Sequence, residues 1–445
     1  MHSNSGDKAG GFAVGSGSAM LFSHEIDFDP GEPDLVLARL PARPAVFALR
    51  GVTGEPYLNR TANLRQRLIR LLTPAPTQSR RLQLAGLVRR IAWTETASDF
   101  SAQLLLYRAS IAVYGERAAQ RLHLRAPYFL RMGMRNRFPR VWVTNTLTLA
   151  AADDLFGPFP SRHAAERYGE AALDLHLLRR CFQDLEPDPV FPGCIYSEMK
   201  KCLAPCYGGC SDERYAEETA AVHGFLRTRG ASLLQLLAGE RDHASEVLDF
   251  EAAAAAHTRY SKVQAVAALA PEIAEPLGAQ HAVMVQPDAE PDQVALYLWK
   301  GGILTGPVLF SVLGMRLPNE QSGSSSLFAH PAAYAAVPLE PANQEAPQQQ
   351  TAVETPEDRL REALDVLAGQ NNSAHPDPGK QVLCDHQALL ARWYFRPQAK
   401  REGELVLADP AHGTVPFKLL LRATARVYRT YAERHAPAQT VAHAP

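Results

Sequence analysis

Two short apolar runs on either side of a glycine-marked turn form the first regular pattern in the chain. Residues 45–49 are all apolar, Gly51 and Gly54 mark a turn, and Tyr57 and Leu58 begin a second run. Runs of this length around a glycine turn are typical of a β-hairpin. We therefore expect two antiparallel strands early in the folded chain.

The pattern that follows has helical spacing. Leu64, Leu68 and Leu71 recur every three or four residues, and Asn63 precedes them as a favoured N-cap residue. This spacing predicts an amphipathic helix with a basic polar side. The arginines on that side are Arg65, Arg67 and Arg70.

Helices and strands alternate in the middle of the chain. A helix is predicted over 98–113 with a serine or aspartate cap, and strands and turns are predicted over 126–149. The stretch 156–161, Phe-Gly-Pro-Phe-Pro-Ser, indicates a turn that leads into a helix over 161–180. Two further helices, 211–238 and 245–268, are expected to form an αα-hairpin joined by Gly239-Glu-Arg-Asp.

The last third of the chain begins with alternating apolar and polar residues, which predict an antiparallel sheet unit. Its expected strands are 282–286, 293–299 and 303–311. Residues 319–326 indicate a loop, and 341–356 form a low-complexity linker. The run 391–396, Ala-Arg-Trp-Tyr-Phe-Arg, would suit base stacking, but core packing at a strand is the favoured interpretation.

Membrane and secreted classes are disfavoured. The chain has no uninterrupted apolar run near the ~20 residues that a membrane span requires. Its first residues are rich in glycine and serine and lack the basic start and apolar core of a secretory signal. We expect a flexible N-terminal tail, no membrane partner and a cytoplasmic location.

Positive charge is concentrated in one block, although the whole chain carries a net charge of −1. The segment 60–140 contains 16 arginines, no lysine and three acids, which gives 16 − 3 = +13. Arginines placed on phosphates release condensed counterions, so such a block is typical of nucleic-acid binding. The alternative is a solvated basic face without a ligand, and we favour DNA.

Cysteines are clustered in a way that suggests a metal centre. Cys181, Cys194, Cys202 and Cys206 are spaced C-x12-C-x7-C-x3-C, and Cys210 repeats the last interval. A cytoplasmic protein rarely keeps disulfides, and four thiolates suit either Zn²⁺ or an iron–sulfur cluster. The alternative is that they are small buried apolar residues. Cys210 could be a spare ligand.

These motifs resemble the UvrC family, whose founding member is the nicking subunit of bacterial nucleotide excision repair. The order Phe156-Gly-Pro-Phe, Cys181, Cys194-Ile-Tyr and Lys201-Cys-Leu-Ala-Pro-Cys206 is similar to the cysteine-rich segment of that family. The resemblance implies that the four cysteines bind a [4Fe–4S] cluster, with zinc as the alternative. It covers about residues 35–315, and the second nuclease and the helix-hairpin-helix domain of the family are not expected here.

The segment before the cysteines resembles the GIY-YIG nuclease module. The matching residues are Pro44-Ala-Val-Phe47, Tyr57-Leu-Asn59-Arg60 and Asn63-Leu-Arg-Gln-Arg67-Leu. The resemblance assigns Tyr57 as the catalytic tyrosine and Arg67 as the phosphate-binding arginine, with Arg60 in support. Arg60, Arg65, Arg67 and Arg70 are the expected DNA-binding residues.

Two residues of that nuclease pattern are replaced. The first tyrosine falls on Phe47, which has no hydroxyl, and the glutamate that holds Mg²⁺ falls on Leu106 or Tyr107. Neither side chain offers the carboxylate oxygen that a hard cation needs. We expect a nuclease fold without nuclease activity, with Mg²⁺ required only if activity survives.

The segment Leu248-Asp-Phe250-Glu-Ala-Ala253 looks like the UVR helical hairpin, through which UvrC meets UvrB. Leu248 and Phe250 are the expected partner-binding residues. The charged residues that follow in the family are replaced by Ala254-Ala-Ala-His257-Thr. The resemblance therefore implies a UvrB-type partner with fewer charged contacts.

The sequence predicts a mixed α/β (α+β) fold made of successive segments. It consists of a GIY-YIG-like small sheet with flanking helices, a cysteine-rich connector, a helical hairpin and a small β unit. In chain order the segments are a disordered tail (1–30), the GIY-YIG-like DNA-binding module (31–150), the metal-binding connector (151–225), the UVR-like hairpin (226–270), the β-rich unit (271–335), the linker (336–380) and an unassigned C-terminal region (381–435).

Three functions are compatible with this organisation. The first is a DNA-binding, UvrC-like repair protein with an inactive nuclease site and a UvrB-type partner. The second is an active, divergent excinuclease that makes one metal-dependent incision. The third is a regulatory paralogue that competes for UvrB without catalysis. We favour the first because the metal-binding glutamate is replaced.

Overall fold

The computed structural model describes residues 22–73, 84, 86–315, 355–374, 379–410 and 412–435. The chain divides into two compact units. The N-terminal unit comprises residues up to 124 together with 288–291, and the C-terminal unit comprises the remainder. None of the described helices is both long enough and apolar enough to cross a bilayer.

The N-terminal unit is built on a four-stranded antiparallel sheet of order β1-β4-β2-β3. Its strands are β1 (His24–Asp27), β2 (Ala45–Gly51), β3 (Tyr57–Thr61) and β4 (Val88–Glu95). Its helices are α1 (Pro33–Leu37), α2 (Leu64–Leu72), α3 (Asp99–Tyr114) and α4 (Ala118–Leu122). The predicted hairpin is confirmed, with Phe47 opposite Asn59.

Capping residues set the starts of the two long helices as the sequence predicted. The Asn63 side chain accepts a hydrogen bond from the Gln66 amide, and the Ser98 side chain accepts one from the Ser101 amide. Strand β2 is apolar without alternation because it is covered on both faces. Phe47 faces the cluster that contains α2, and Val46 faces the cluster that contains α3.

The prediction of a disordered tail over 1–30 is wrong for its last part. Strand β1 pairs with β4, and Phe28 is buried in the core beside α1 and α2. Strand β1 consists of His-Glu-Ile-Asp, and so short and polar a segment gives little sequence signal for a strand. Residues 1–21 lie outside the described residues.

The second sheet opens the C-terminal unit and has the order β6-β5-β7-β8. Its strands are β5 (Tyr128–Met132), β6 (Val141–Thr144), β7 (Leu155–Phe159) and β8 (Glu275–Pro276). The turn predicted at 156–161 is wrong, because Phe156 and Phe159 are buried and β7 pairs with β5. The helix predicted over 161–180 is α5 (Arg162–Leu173), which begins at the Ser161 cap and ends before an irregular segment.

Three helices, rather than the two that were predicted, follow the cysteines and the short helix α6 (Ile195–Glu198). They are α7 (Asp212–Arg227), α8 (Ala231–Glu246) and α9 (Phe250–Ala267). The break falls at Gly230, whose φ is +89° and whose missing Cβ would lie 3.1 Å from Ala267. Gly239, predicted as the turn, lies inside α8 because nothing near it requires a glycine.

The third sheet has the order β11-β10-β9-β12 and confirms the three predicted strands. Its strands are β9 (His281–Pro287), β10 (Gln293–Lys300), β11 (Ile303–Ser311) and β12 (Glu404–Leu407). Three helices belong to this region: α10 (Pro356–Ala374), α11 (Lys380–Tyr394) and α12 (Phe417–His435). The mixed α/β fold is therefore confirmed.

Segments far apart in sequence share the core of the third sheet. Leu360 of α10 and Leu420 of α12 pack against Val285 and Leu296. The linker predicted over 336–380 thus contains a core helix, and the β unit (271–335) and the C-terminal region (381–435) form one sheet through the β9–β12 pair. The loop at 319–326 and the linker up to residue 354 lie outside the described residues.

The aromatic run near the C-terminus is part of the core, as favoured, but it is helical. Trp393 lies on α11, is buried, and donates its indole N–H to the Glu402 carbonyl at 2.8 Å. The predicted strand is wrong because the apolar residues of this segment repeat at helical spacing.

Candidate functional site

The connector between α5 and α7 carries the four predicted cysteine ligands, all of them half-buried. Cys181 follows α5, Cys194 is the N-cap of α6, and Cys202 and Cys206 flank a turn at Ala204. Ala204 adopts a left-handed φ of 56°, which reverses the chain between the last two cysteines. The C-terminal unit therefore holds all four sulfurs on one short connector.

N–H groups donate hydrogen bonds to three of the sulfurs. The Ala204 amide donates to Cys202 Sγ at 3.3 Å, and Arg179 donates to Cys181 Sγ at 3.7 Å. The Cys194 side chain accepts from the backbone of Ser197 in a capping box. Such bonds stabilise thiolates and are among the features that tune metal–thiolate centres.

The sulfurs are close enough to influence one another. Burial, with a smaller contribution from the neighbouring Cys181, Cys194 and Cys206, raises the pKa of the Cys202 thiol to about 11. Burial also raises the pKa of Cys206 and of Cys210. No three His, Cys, Asp or Glu side chains of the described residues stand in a metal-holding arrangement. The donor chemistry thus fits a thiolate-bound metal, while the ligand geometry is not formed.

Helix α7 fixes the connector in place through Tyr215. Its hydroxyl accepts from the Arg179 amide at 3.2 Å and donates to the Pro139 carbonyl at 2.8 Å. Arg179 itself is buried and donates to the Phe138 carbonyl at 2.8 Å. The backbone two residues before Cys181 is therefore tied to both α7 and the end of the β5–β6 loop.

Two carboxylates add further ties. Glu218 of α7 accepts from the Leu177 amide at 2.8 Å and from Arg214 at 3.0 Å. Asp174, at the end of α5, pairs with Arg180 at 2.8 Å and with Lys201 at 2.9 Å. Because these two basic residues adjoin Cys181 and Cys202, Asp174 links the first and third cysteines.

The predicted nuclease residues lie on β3 and on the helix that follows it. The Tyr57 hydroxyl accepts from Asn59 Nδ2 at 2.7 Å, and its ring lies 6.2 Å from that of Phe47. Phe47 is fully buried in the core. Arg67 lies on α2 and is half-buried. We call Tyr57, Arg60 and Arg67 the Tyr57 site.

The expected metal position on α3 has no carboxylate. Tyr107 is buried, and Leu106 packs against the cluster that contains Val46. The acid next to the Tyr57 site is Asp99, which forms an ion pair with Arg60 and accepts from Gln103 at 2.5 Å. The nearby carboxylate is thus engaged by an arginine and an amide.

Carboxylates form ion pairs with some of the arginines of the basic segment 60–140. Arg90 pairs with Asp27 at 3.2 Å, and Arg121 pairs with Glu55 at 3.1 Å. Of the predicted DNA-binding residues, Arg60 pairs with Asp99, and Arg65 donates to the Leu40 carbonyl at 2.6 Å. Arg70 is exposed, and its Nε donates to the carbonyl one turn earlier, at Gln66.

The turn between α8 and α9 exposes apolar side chains. Leu248 and Phe250, the predicted partner-binding residues, are 71% and 70% exposed, and Val247 beside them is 61% exposed. Leu248 adopts a left-handed φ of 58°, which is uncommon for a large side chain. Asp249 caps α9 by accepting from the Ala252 amide. We call Val247, Leu248 and Phe250 the hairpin tip.

Comparison with known proteins finds a family model that matches the region around this connector. Residues 128–225 match the UvrC/Cho excinuclease middle domain. The UvrABC system protein C of Alcanivorax borkumensis is 28% identical over 251 residues, covering 54% of this chain and 39% of that protein. Over these residues the chain is similar to UvrC-family proteins. No solved structure matches it significantly.

Two other relatives give the same result. The UvrABC system protein C of Dehalococcoides mccartyi is 24% identical over 288 residues, covering 63% of this chain and 46% of that protein. That of Alkalilimnicola ehrlichii is 28% identical over 239 residues, covering 53% and 39%. The chain therefore spans less than half the length of these relatives. The UvrC middle domain comprises β5 to β7, α5, the connector and most of α7.

Sequence reasoning missed the residues that anchor the connector. Nothing in the sequence marks Tyr215 as an anchor, and Glu218 looks the same as Glu213 and Glu217 on the same helix. The partners of Tyr215 and Glu218 are Arg179 and Leu177, which lie 36 and 41 residues away along the chain. Only the packing of α7 against the connector distinguishes them.

We predict that Glu218→Gln destabilises the protein in a pH-dependent way. The hydrogen bond from His176 is the largest cause that lowers the pKa of Glu218, which falls from 4.5 to about 2. Its stabilisation is therefore complete above about pH 4.5 and is lost as the pH falls toward 2. At pH 7 we expect a loss of about 2–3 kcal/mol in the free energy of unfolding, measured by urea denaturation.

Glu217→Gln is the matched control, because the Glu217 side chain is 72% exposed on the same helix. It should leave the free energy of unfolding nearly unchanged. Equal effects of the two substitutions, or an effect of Glu218→Gln that grows on acidification, would contradict the assignment.

Proposed function

We propose that this protein acts in nucleotide excision repair as a DNA-binding UvrC relative whose GIY-YIG-like site does not cut. The observation that carries the proposal is α3, which contains Leu106 and Tyr107 at the positions that the resemblance assigns to the metal-binding glutamate of such nucleases. Asp99, a carboxylate on the same helix, is paired with Arg60. A site built from these described residues would lack the divalent ion that stabilises the charge developing on a cleaved phosphate.

DNA binding is supported by the arginine block. Some of its arginines are balanced internally, whereas Arg67 and Arg70 lie on the polar side of α2, opposite its buried leucines. A helix that presents arginines beside a small sheet can place them on consecutive phosphates. The affinity should then come from counterion release and depend steeply on salt.

We predict salt-dependent DNA binding without cleavage. Fluorescence anisotropy with a labelled duplex should show that the logarithm of the binding constant falls linearly with the logarithm of the salt concentration. Arg67→Gln and Arg70→Gln should each reduce the steepness of that slope by about one. The control Arg361→Gln, on the exposed side of α10, should not change the slope, since Arg361 already pairs with Asp358.

Incubation of a supercoiled plasmid with Mg²⁺ or Mn²⁺ should leave it intact. Metal-dependent nicking that Tyr57→Phe abolishes would establish the divergent excinuclease instead. Absence of any salt-dependent DNA binding would favour the regulatory paralogue.

We also propose that the hairpin tip docks on a UvrB-type protein. Large apolar side chains on a soluble surface, clustered and held by a capped turn, are typical of a binding site. The α8 and α9 helices supply a rigid support, and the left-handed backbone at Leu248 directs that residue away from the helix pair. The contact would be mainly apolar, because Ala254, Ala255 and His257 replace the charged residues of the family motif.

We predict that Leu248→Ala and Phe250→Ala each weaken binding to UvrB roughly tenfold, as expected for central apolar contacts. Isothermal titration calorimetry with purified UvrB measures this. Leu419→Ala, an exposed leucine on α12, is the control and should bind normally. Undiminished binding by both hairpin-tip variants would exclude this docking mode.

We propose that Cys181, Cys194, Cys202 and Cys206 hold a [4Fe–4S] cluster, with zinc as the alternative. The support is the all-thiolate donor set, the N–H groups that already point at three sulfurs, and the basic Arg179 beside the first. Such a cluster would stabilise a connector that has little regular structure. Its proposed role is therefore structural.

We predict that anaerobically purified protein shows the broad absorption near 400 nm that is typical of iron–sulfur proteins, and contains iron and sulfide. Cys202→Ser should remove both the colour and the iron, because one of four ligands is lost. Cys384→Ser, on α11, is the control and should keep them. A colourless protein containing zinc would support the alternative.

A further inference from the structure

Strand β6 carries an aromatic side chain that does not pack into the core of the second sheet. Val141 and Val143 pack into the core of the second sheet. Trp142 lies between them and therefore points to the opposite face, because successive side chains of a strand alternate. In the sheet register Trp142 is paired with Arg131 of β5, and Arg140, two residues earlier, shares its face.

The two arginines on this face are stacked on aromatic rings. The guanidinium carbon of Arg140 lies 4.9 Å from the centre of the Trp142 ring and 4.6 Å from that of Phe182. The guanidinium carbon of Arg131 lies 5.4 Å from the Trp142 ring. Phe182, which follows Cys181 on the connector, is 72% exposed. We call Arg131, Arg140, Trp142 and Phe182 the aromatic–arginine face.

Among the described residues no carboxylate forms an ion pair with Arg131 or Arg140, although Asp184 lies near enough to Arg140 to act on it electrostatically. Arg131 Nε and one terminal nitrogen of Arg140 are buried and have no hydrogen-bond partner in the described part of the chain. By contrast, Arg137 in the adjacent loop pairs with Asp212 at 2.8 Å. Both guanidinium groups thus lie against aromatic rings in half-buried residues, and a ligand phosphate would supply a hydrogen-bond acceptor that they lack.

The indole ring is held in position before any ligand arrives. A Cβ at Gly133 would lie 2.9 Å from the Trp142 ring, so the glycine lets the ring lie against the end of β5. The β5–β6 loop that begins at Gly133 also carries Arg135, which is exposed. A fixed ring binds a flat partner at a lower cost in conformational entropy than a mobile one.

From these contacts we infer that the aromatic–arginine face binds an unpaired stretch of a DNA strand, with a base stacked on the rings and phosphates near the arginines. The rings already hold cations, so a cationic ligand is disfavoured. A planar ring system joined to negative charge matches both features of the face. Base faces are covered by their neighbours in duplex DNA, so the face should prefer unpaired bases. The inference rests on the proposed DNA-binding function.

The test compares the full chain with single-residue variants in fluorescence anisotropy, using a labelled oligothymidylate and a blunt duplex. Trp142→Ala and Phe182→Ala should each weaken binding to oligothymidylate roughly tenfold and leave duplex binding unchanged. Leu419→Ala, which removes an exposed apolar side chain from α12, should affect neither ligand. Equal losses for the two ligands, or no loss for either variant, would overturn the inference.

Tryptophan fluorescence provides a readout that misfolding would not imitate. Oligothymidylate should quench the emission of the wild-type protein, and Trp142→Phe should lose most of that quenching while it keeps the affinity, because phenylalanine can still stack. Trp93→Phe, which removes the half-buried tryptophan of β4, should keep the quenching. Quenching that survives in Trp142→Phe contradicts the inference.

The two proposals can fail separately. Salt-dependent duplex binding together with normal oligothymidylate binding by the Trp142 and Phe182 variants would reject the aromatic–arginine face and keep the DNA-binding function. Absence of binding to both ligands would reject both.

Discussion

The hydrogen bonds that tie helix α7 to the connector are the constraint on which the cysteine region depends. Between α5 and α7 the chain has little regular structure of its own, so its backbone groups must find other partners. Tyr215 and Glu218 supply them from one face of α7, at Arg179 and Leu177. Both side chains are buried, which shields these bonds from competing water. The position of Cys181 is therefore set by a helix that begins only after the last of the cysteines.

The same anchoring joins two features that appear separate in the sequence. Arg179 bonds at once to Tyr215, to the Phe138 carbonyl and to Cys181 Sγ. It thereby holds the start of the connector against the β5–β6 loop and brings Phe182 beside Arg140. The basic, aromatic surface of the second sheet and the cysteine cluster are thus parts of one assembly, with a single buried arginine at their junction.

The sequence predicted correctly those elements whose bounds depend on neighbouring residues, such as helix caps and a hairpin turn. Asn63 and Ser98 cap the helices that they were expected to cap, and the β2–β3 hairpin has the predicted strands. The predictions failed where the bounds of an element depend on a residue that is distant in the sequence. The sequence does not distinguish Gly230 from Gly239. In the structure only Gly230 lies close to Ala267, and the break between two helices falls there.

The same distinction applies to the candidate sites. The cysteines could be singled out by their spacing, because clustering is visible along the chain. Glu218 could not, because its role depends on a contact with Leu177. The ion pair between Arg60 and Asp99 was missed for the same reason, although the replacement of the metal-binding glutamate was visible.

The pairing of β9 with β12 affects the synthesis of the chain and its sensitivity to proteolysis. Strand β9 ends at residue 287, and its second neighbour, β12, begins at residue 404. During synthesis one edge of β9 therefore stays unpaired until more than a hundred further residues have been added. An edge strand whose side chains include Val283 and Val285 is prone to pair with other chains. Premature termination or proteolysis before residue 404 would therefore produce a fragment that tends to aggregate.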